Sequence, residues 1–379
     1  MKKLGFLMGA ALLTLGSCTN EINEEGFVDK ANTISFSAYS NKTRAYGNGD
    51  IDDATAMRVG SFGVVGYKTG SSIYLGSTSK AIEQTWQGES WEYATTTELK
   101  YWPNENMDFY AYFPYAENGD VFASTSSDGT VMTINNATGN QDVLFASATN
   151  QGYQARVPLT FHHAFSKINS VKIKVELNDV DVVVKKVEFI NTKSSENSQV
   201  LVDNNGKASY GNSIGSSCGT TLNDPVTIST TANSGGYTVW SSNANKYILA
   251  TNGTVTNNVT GTDKEMWNGA KSSLEGGVLS TKGLVCLKIT GKVMTHNGSN
   301  YIIGSSAQDG YGDIYIPLRG LDNNSNMVEK FFAGKRYTYN IVMSNNVGYH
   351  DNGDPILKPI LFNVSSVDAW DDVNVTITL

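Results

Sequence analysis

The chain has 379 residues, only 17 % of them charged, with 37 Gly, 19 Tyr, 7 Pro and 3 Cys at a formal net charge of −8. At roughly 150 residues per domain the length accommodates two or three domains, and an apolar share of 40 % excludes a disordered chain. Few Glu, Lys and Arg beside abundant Gly, Ser, Thr, Asn and Tyr favour strands and tight turns over long helices.

The first residues read as an address. Met1-Lys2-Lys3, an apolar run at 4–15 and Gly16-Ser17-Cys18 follow the charged, apolar, small-residue order of a secretory signal. The run is too short to cross a ~30 Å hydrocarbon core permanently. Leu15-Gly16-Ser17-Cys18 resembles a bacterial lipobox, in which Cys18 is acylated and becomes the first residue of the exported chain; an ordinary signal peptide with an incidental cysteine is the alternative. Residues 1–17 are thus expected to be removed, and losing Lys2 and Lys3 leaves a net charge near −10. Residues 19–25, polar and acidic, read as a flexible leash.

Strand signals follow at 34–39, 60–67, 107–113, 130–134, 171–177, 182–190, 237–239, 284–289, 314–317, 337–343 and 360–364, many alternating and separated by Gly, Asn or Asp turns. Such spacing predicts antiparallel β-sandwiches. Short helical pieces are expected at 79–84 and 321–328, and the Asn/Ser/Gly/Thr-rich stretch 191–236 reads as extended loops with short strands. A boundary near residue 157 divides an N-terminal domain, 45–157, from a C-terminal domain, 158–379.

Chemistry-bearing patterns are sparse. His162 and His163 would point to opposite faces of a strand and so not share a metal, while His296 and His350 lie in Asn/Gly-rich loops. Asp50-Ile51-Asp52-Asp53 and Asp351-Asn352-Gly353-Asp354 offer oxygen ligands, yet neither has the EF-hand pattern and turn chemistry explains both more simply. No nucleophile elbow, phosphate loop or dinucleotide fingerprint appears, so no enzyme and no cofactor is expected. The five arginines, Arg44, Arg58, Arg156, Arg319 and Arg336, make no basic run, which argues against nucleic acid. Cys218 reads as part of a turn and Cys286 as a buried thiol, with a disulfide between them left open. Trp86, Trp91 and Trp102 could instead stack sugars, which keeps a monomeric, surface-anchored glycan-binding lipoprotein as the alternative function.

The two chain ends look alike. Residues 33–39 alternate with Ile34, Phe36 and Ala38 on one face; the polar stretch after them contains a single arginine, Arg44, followed by Ala45, in a segment suited to cutting. Residues 372–379 alternate too, presenting Val373, Val375, Ile377 and Leu379. Removal of the first strand would open an apolar groove that a neighbour's terminal strand could fill by strand addition, joining subunits head to tail into an open filament. Two ordinary strands of one monomer explain the same periodicity.

With these features, and with Tyr101-Trp102-Pro103, Phe109-Tyr110-Ala111-Tyr112-Phe113-Pro114, Asp142-Val143-Leu144-Phe145-Ala146, 159–168, Tyr337-Thr338-Tyr339 and Trp370 in this order, the sequence resembles the fimbrillin family, lipoprotein-derived subunits of type V pili. The resemblance implies an all-β chain of two tandem transthyretin-like β-sandwich domains. It implies a lipid such as palmitate on Cys18, an outer-membrane precursor, and cleavage between Arg44 and Ala45 by an arginine-specific protease that removes 18–44. It further implies donor-strand exchange through Val373, Val375, Ile377 and Leu379. The partners would be copies of this chain or related pilus subunits and surface ligands, the product a fimbrium supporting cell adhesion, and the position within it a stalk by a narrow margin over tip or anchor.

Overall fold

A computed structural model of the chain describes residues 33–40, 57–115, 130–136, 141–194, 198–211, 215–241, 247–248, 265–357, 361–366 and 372–378. Strands dominate, as expected, and the described helices are short, for example Leu279–Lys282. Two sheets hold most of them.

The first sheet closes on itself in a barrel-like ring. Its path runs from Ser61–Lys68 through Ile82–Trp86, Trp91–Tyr93, Phe36–Ser40, Val157–His163 and Leu144–Gln151 to Met107–Phe113, which pairs back with Ser61–Lys68 from Gly63↔Tyr112 to Lys68↔Met107. The period of two sends one set of side chains inward, where Phe36, Phe62, Val64, Trp91, Phe109, Leu144, Leu159 and Phe161 form a single buried cluster. The other set, with Val65, Tyr110, Tyr112 and Phe145, is covered from outside. At the closing seam a Cβ on Gly63 would collide with the Tyr112 ring, so glycine lets the ring lie against the backbone.

The outside cover is a three-stranded sheet in which Ser198–Asp203 pairs with both Ala208–Gly211 and Thr130–Asn136. Its hairpin turn is written locally: the Asp203 carboxylate accepts the Asn205 and Lys207 amides, and Gly206 adopts φ 73°. Strands from both halves of the chain thereby share one core.

The second sheet gathers Ser166–Val175, Val180–Ser194, Gly215–Ile228, Tyr237–Ser241, Cys286–Thr295, Gly312–Pro317, Arg336–Met343, Leu361–Ser366 and Asp372–Thr378, with Tyr247–Ile248 linking Ser166–Val175 to Val180–Ser194 and Tyr301–Ile303 at one end. Alternation is plain in Arg336–Met343, where Tyr337, Tyr339, Ile341 and Met343 are buried.

Several expectations change here. The proposed helix at 79–84 gives way to the strand Ile82–Trp86, because its side chains alternate between ring interior and surface. The second, at 321–328, is a small ladder of Gly320–Leu321 with Met327–Val328; Asp322 accepts the Asn324 and Asn326 amides and sets a turn between them. The stretch 191–236 contains the 14-residue strand Gly215–Ile228, held along Val180–Ser194, whose Val and Phe residues supply an apolar face that the Ser- and Gly-rich start of Gly215–Ile228 lacks. Val157–His163, which the sequence reading sets at the domain boundary, belongs to the first sheet, and the chain enters the second at Ser166.

Candidate functional site: the seats of the two end strands

The leading strand, Phe36–Ser40, lies parallel to Val157–His163 with Phe36↔Val157, Ala38↔Leu159 and Ser40↔Phe161 in register. On its other side Phe36 pairs with Trp91. Ile34 and Phe36 are buried in the ring, and the Phe36 ring meets Phe109 and Phe62 edge-on at centroid distances of 5.3 and 6.2 Å. Each such side chain contributes roughly 1.5–3 kcal/mol by burial.

The ladder explains why this strand matters. Val157 N–H donates to Ser35 C=O at 2.8 Å, and a parallel ladder repeats every second residue. Val157, Leu159 and Phe161 therefore turn their polar backbone groups toward the leading strand. Pro158, which has no N–H, falls in the opposite phase. On that opposite side Leu144–Gln151 pairs only at His162 and His163. Among the described strands, then, the leading strand is the sole ladder partner of residues 157–161. Taking it away leaves those backbone groups unpaired and breaks the ring between Trp91 and Val157.

Beyond Phe36 the seat is incomplete. Trp91–Tyr93 pairs with the leading strand at Phe36 alone, and next to residues 36–38 lies a cleft of about 170 Å³ lined also by Arg58, Trp86, Glu89, Ser90 and Arg156. The guanidinium of Arg58 sits 4.1 Å from the centroid of Trp86. Trp91 is buried and meets Trp86 edge-on, and Trp102 packs against Phe109 and Tyr153. These tryptophans are core and seam residues and present no flat row for a sugar.

The terminal strand, Asp372–Thr378, has the same relation to its own sheet. It lies parallel to Arg336–Met343, from Arg336↔Asp372 to Val342↔Thr378, with Val375 and Ile377 fully buried. It is an interior strand, because Leu361–Ser366 pairs along its far side; among the described strands that outer strand has no other ladder partner. The two form a C-terminal hairpin that would leave its sheet as a unit.

The remaining sequence candidates resolve into structural roles. His163 Nδ1 lies 2.9 Å from Asp142 and His296 Nδ1 2.8 Å from Asp181. Burial, with a smaller effect of neighbouring His163, holds the His162 imidazole below its usual pKa. In the 351–354 turn Asp351 accepts from Ser280 and Asp354 from Lys271, which keeps the Asp354 carboxyl below the usual range. Among the described residues no group of three or more His, Cys, Asp or Glu is placed to hold a metal. Cys218 is on a strand and not in a turn. It pairs with Phe189 on one side of Val180–Ser194 while Cys286 pairs with Ile190 on the other, so the two buried thiols face opposite sides of the sheet and form no disulfide with each other. Cys18, Arg44, Ala45, Leu379, the 50–53 acids and Trp370 lie outside the described residues, as does the side chain of Val373.

Residues 43–354 match the model of the fimbrillin-like family. The chain belongs to that family. This fimbrillin-like chain is also similar to a fimbrial protein from Bacteroides vulgatus ATCC 8482, at 13 % identity and a TM-score of 0.45 over 91 % of this chain and 97 % of that one. A "putative cell adhesion protein" from Parabacteroides distasonis ATCC 8503 aligns at 9 % identity and a TM-score of 0.44 over 92 % and 97 %. No curated protein matches it.

Periodicity alone pointed to Ile34, Phe36, Ala38, Val375 and Ile377. It missed the receiving edge at Val157, Leu159 and Phe161. The alternation of that edge is visible in the sequence, but its pairing to a strand some 120 residues earlier is not.

Proposed function

We propose that this fimbrillin-like protein is a non-enzymatic structural subunit of a cell-surface pilus that supports adhesion and is built by strand exchange. In this reading the chain is exported as a lipoprotein acylated on Cys18 and held at the outer membrane. An arginine-specific protease cuts between Arg44 and Ala45, and the leading strand departs with the lipid. A strand from another subunit then takes its place beside Val157–His163. The C-terminal hairpin swings out of the second sheet to serve the next subunit, presenting Val373, Val375, Ile377 and Leu379. Each sheet with its cover is taken as one of the two tandem transthyretin-like units of the family. Having both a seat to fill and a strand to give favours a stalk position.

One observation carries the proposal: the edge at 157–161 has the leading strand as its sole described ladder partner, so the strand that departs and the seat that is refilled are one structural unit. Two variants test it. Arg44→Ala leaves both sheets intact and should abolish high-mass, detergent-resistant ladders in surface extracts. Deletion of residues 372–379 should abolish them as well. Unchanged ladders in both variants would overturn the reading.

A further inference from the structure

The two end strands turn different backbone edges toward the strands that hold them. A parallel ladder draws on every second residue of each strand. Val157 N–H donates to Ser35 C=O, so the leading strand meets Val157–His163 through the backbone of its outward phase, Ser35, Ser37 and Tyr39. In the second sheet Lys167 N–H donates to Lys335 C=O and Glu176 N–H to Met343 C=O. The odd-numbered residues of Arg336–Met343 therefore face Ser166–Val175, and the even-numbered ones face the terminal strand. With Arg336↔Asp372 in register, the terminal strand answers through the backbone of its inward phase, Val373, Val375 and Ile377. Its other edge is taken by Leu361–Ser366.

In a strand of L residues, the chain direction and the face of a side chain together fix the edge to which that residue's N–H and C=O point. Turning the chain round with the same face inward exchanges the two edges. Leaving its sheet as a unit, the C-terminal hairpin offers only the edge of Val373, Val375 and Ile377. To set that edge against Val157, Leu159 and Phe161 with the apolar phase inside the ring, the terminal strand must run opposite to the leading strand.

We propose that the C-terminal hairpin of a second copy of this chain enters the seat whole and antiparallel to Val157–His163, reversing the parallel pairing that both end strands make in the precursor. The inference rests on the strand-exchange reading above and gives it a partner, a direction and a register. Trp91–Tyr93 reaches the second edge of the leading strand at Phe36 alone, and among the described strands that edge has no ladder partner from Ala38 onward. Leu361–Ser366 covers the terminal strand from Thr378 to Asn374, so Leu379 is the inward-phase residue just beyond the cover. Leu379 at the Phe36 position, beside Trp91, sets Ile377 at the Ala38 position and Val375 at the Ser40 position, opposite Val157, Leu159 and Phe161. Leu361–Ser366 then follows the stretch of edge that Trp91–Tyr93 leaves open, and the seat receives a hairpin where it gave up a strand. Antiparallel pairing is slightly more stable per residue than the parallel pairings given up, which gives the exchange its direction.

The test uses the full chain on the cell surface, with cysteine pairs read on gels without reductant. In the antiparallel register Pro158 falls opposite Thr378 and His162 opposite Asn374 of the next copy; in a parallel strand with Val373 opposite Val157, the pairs are Pro158 with Asn374 and His162 with Thr378. Pro158→Cys with Thr378→Cys, and His162→Cys with Asn374→Cys, should give ladders that survive boiling in detergent until reductant is added. Pro158→Cys with Asn374→Cys, and His162→Cys with Thr378→Cys, should give ladders that collapse to monomers on boiling. A hairpin locked by Asn363→Cys and Thr376→Cys, which are in register, should polymerise with and without reductant alike. Covalent ladders from the parallel pairs, or a locked hairpin that polymerises only in reductant, overturn the proposal: the strand then enters alone and parallel, and strand exchange stands. Ladders that none of these seat-to-donor pairs cross-links overturn the direction and register as well. Ladders that persist when residues 372–379 are deleted sink the strand-exchange reading itself.

Discussion

Phe36→Ala separates a role in the precursor from a role in the fibre. The Phe36 ring is buried in the first sheet between Phe62 and Phe109, and truncating such a ring to Ala costs about 3–5 kcal/mol, the transfer loss plus the cavity left behind. Against a total stability of about 5–15 kcal/mol this is a large fraction, and at ~2–4 °C per kcal/mol for a unit of 150–250 residues it lowers the melting temperature by roughly 10 °C. Thermal unfolding of the uncut chain, followed by the fluorescence of Trp86, Trp91 and Trp102, measures that loss. After cleavage Phe36 is gone, so fibre assembled from this precursor should dissociate in hot detergent at the same temperature as wild type. Phe36→Leu, which removes less volume, guards against a precursor too weak to reach the surface. A fibre weakened in step with the precursor would show that the leading strand stays in the assembled subunit, and the argument would fail.

Three other outcomes follow from the same structure. The His162 imidazole is held below its usual pKa by burial, so the unfolded chain binds the proton more readily; stability should fall as pH drops below about 6.5, and His162→Asn should flatten that slope in urea titrations. Leu159→Pro deletes an N–H that faces the leading strand and should destabilise the precursor by about 1–3 kcal/mol for the carbonyl left unpaired, whereas Pro158→Ala, in the opposite ladder phase, should change little; equal effects would contradict the assigned phase. Cys218 and Cys286 should react with a thiol reagent only after denaturation, and a mass two units low from an oxidised pair would contradict their placement on opposite faces.

Much of the fold was legible because a period of two is a local property. Arg336–Met343 announces itself by alternation and Met107–Phe113 by a nearly continuous apolar and aromatic run, and the turn at 203–207 by Asp and Gly. Pairing is a different matter. Ring closure depends on Met107–Phe113 meeting Ser61–Lys68, and the shared outer core on Ser198–Asp203 crossing to Thr130–Asn136; no local pattern encodes either. Gly215–Ile228 was hidden for a further reason: it borrows its apolar face from Val180–Ser194, so its own Ser, Thr and Gly read as loop. The end strands show both sides. Their inward faces were readable as sequence, but the interior position of Asp372–Thr378, between two partners, was not.

At the centre stands the claim that the leading strand is a placeholder lost before assembly. N-terminal analysis of high-mass, detergent-resistant material from the cell surface tests it most directly. Subunits that begin at Ala45, with the segment from Cys18 to Arg44 absent, are the predicted result. Assembled subunits that begin at an acylated Cys18 and still contain Ile34 and Phe36 would contradict it.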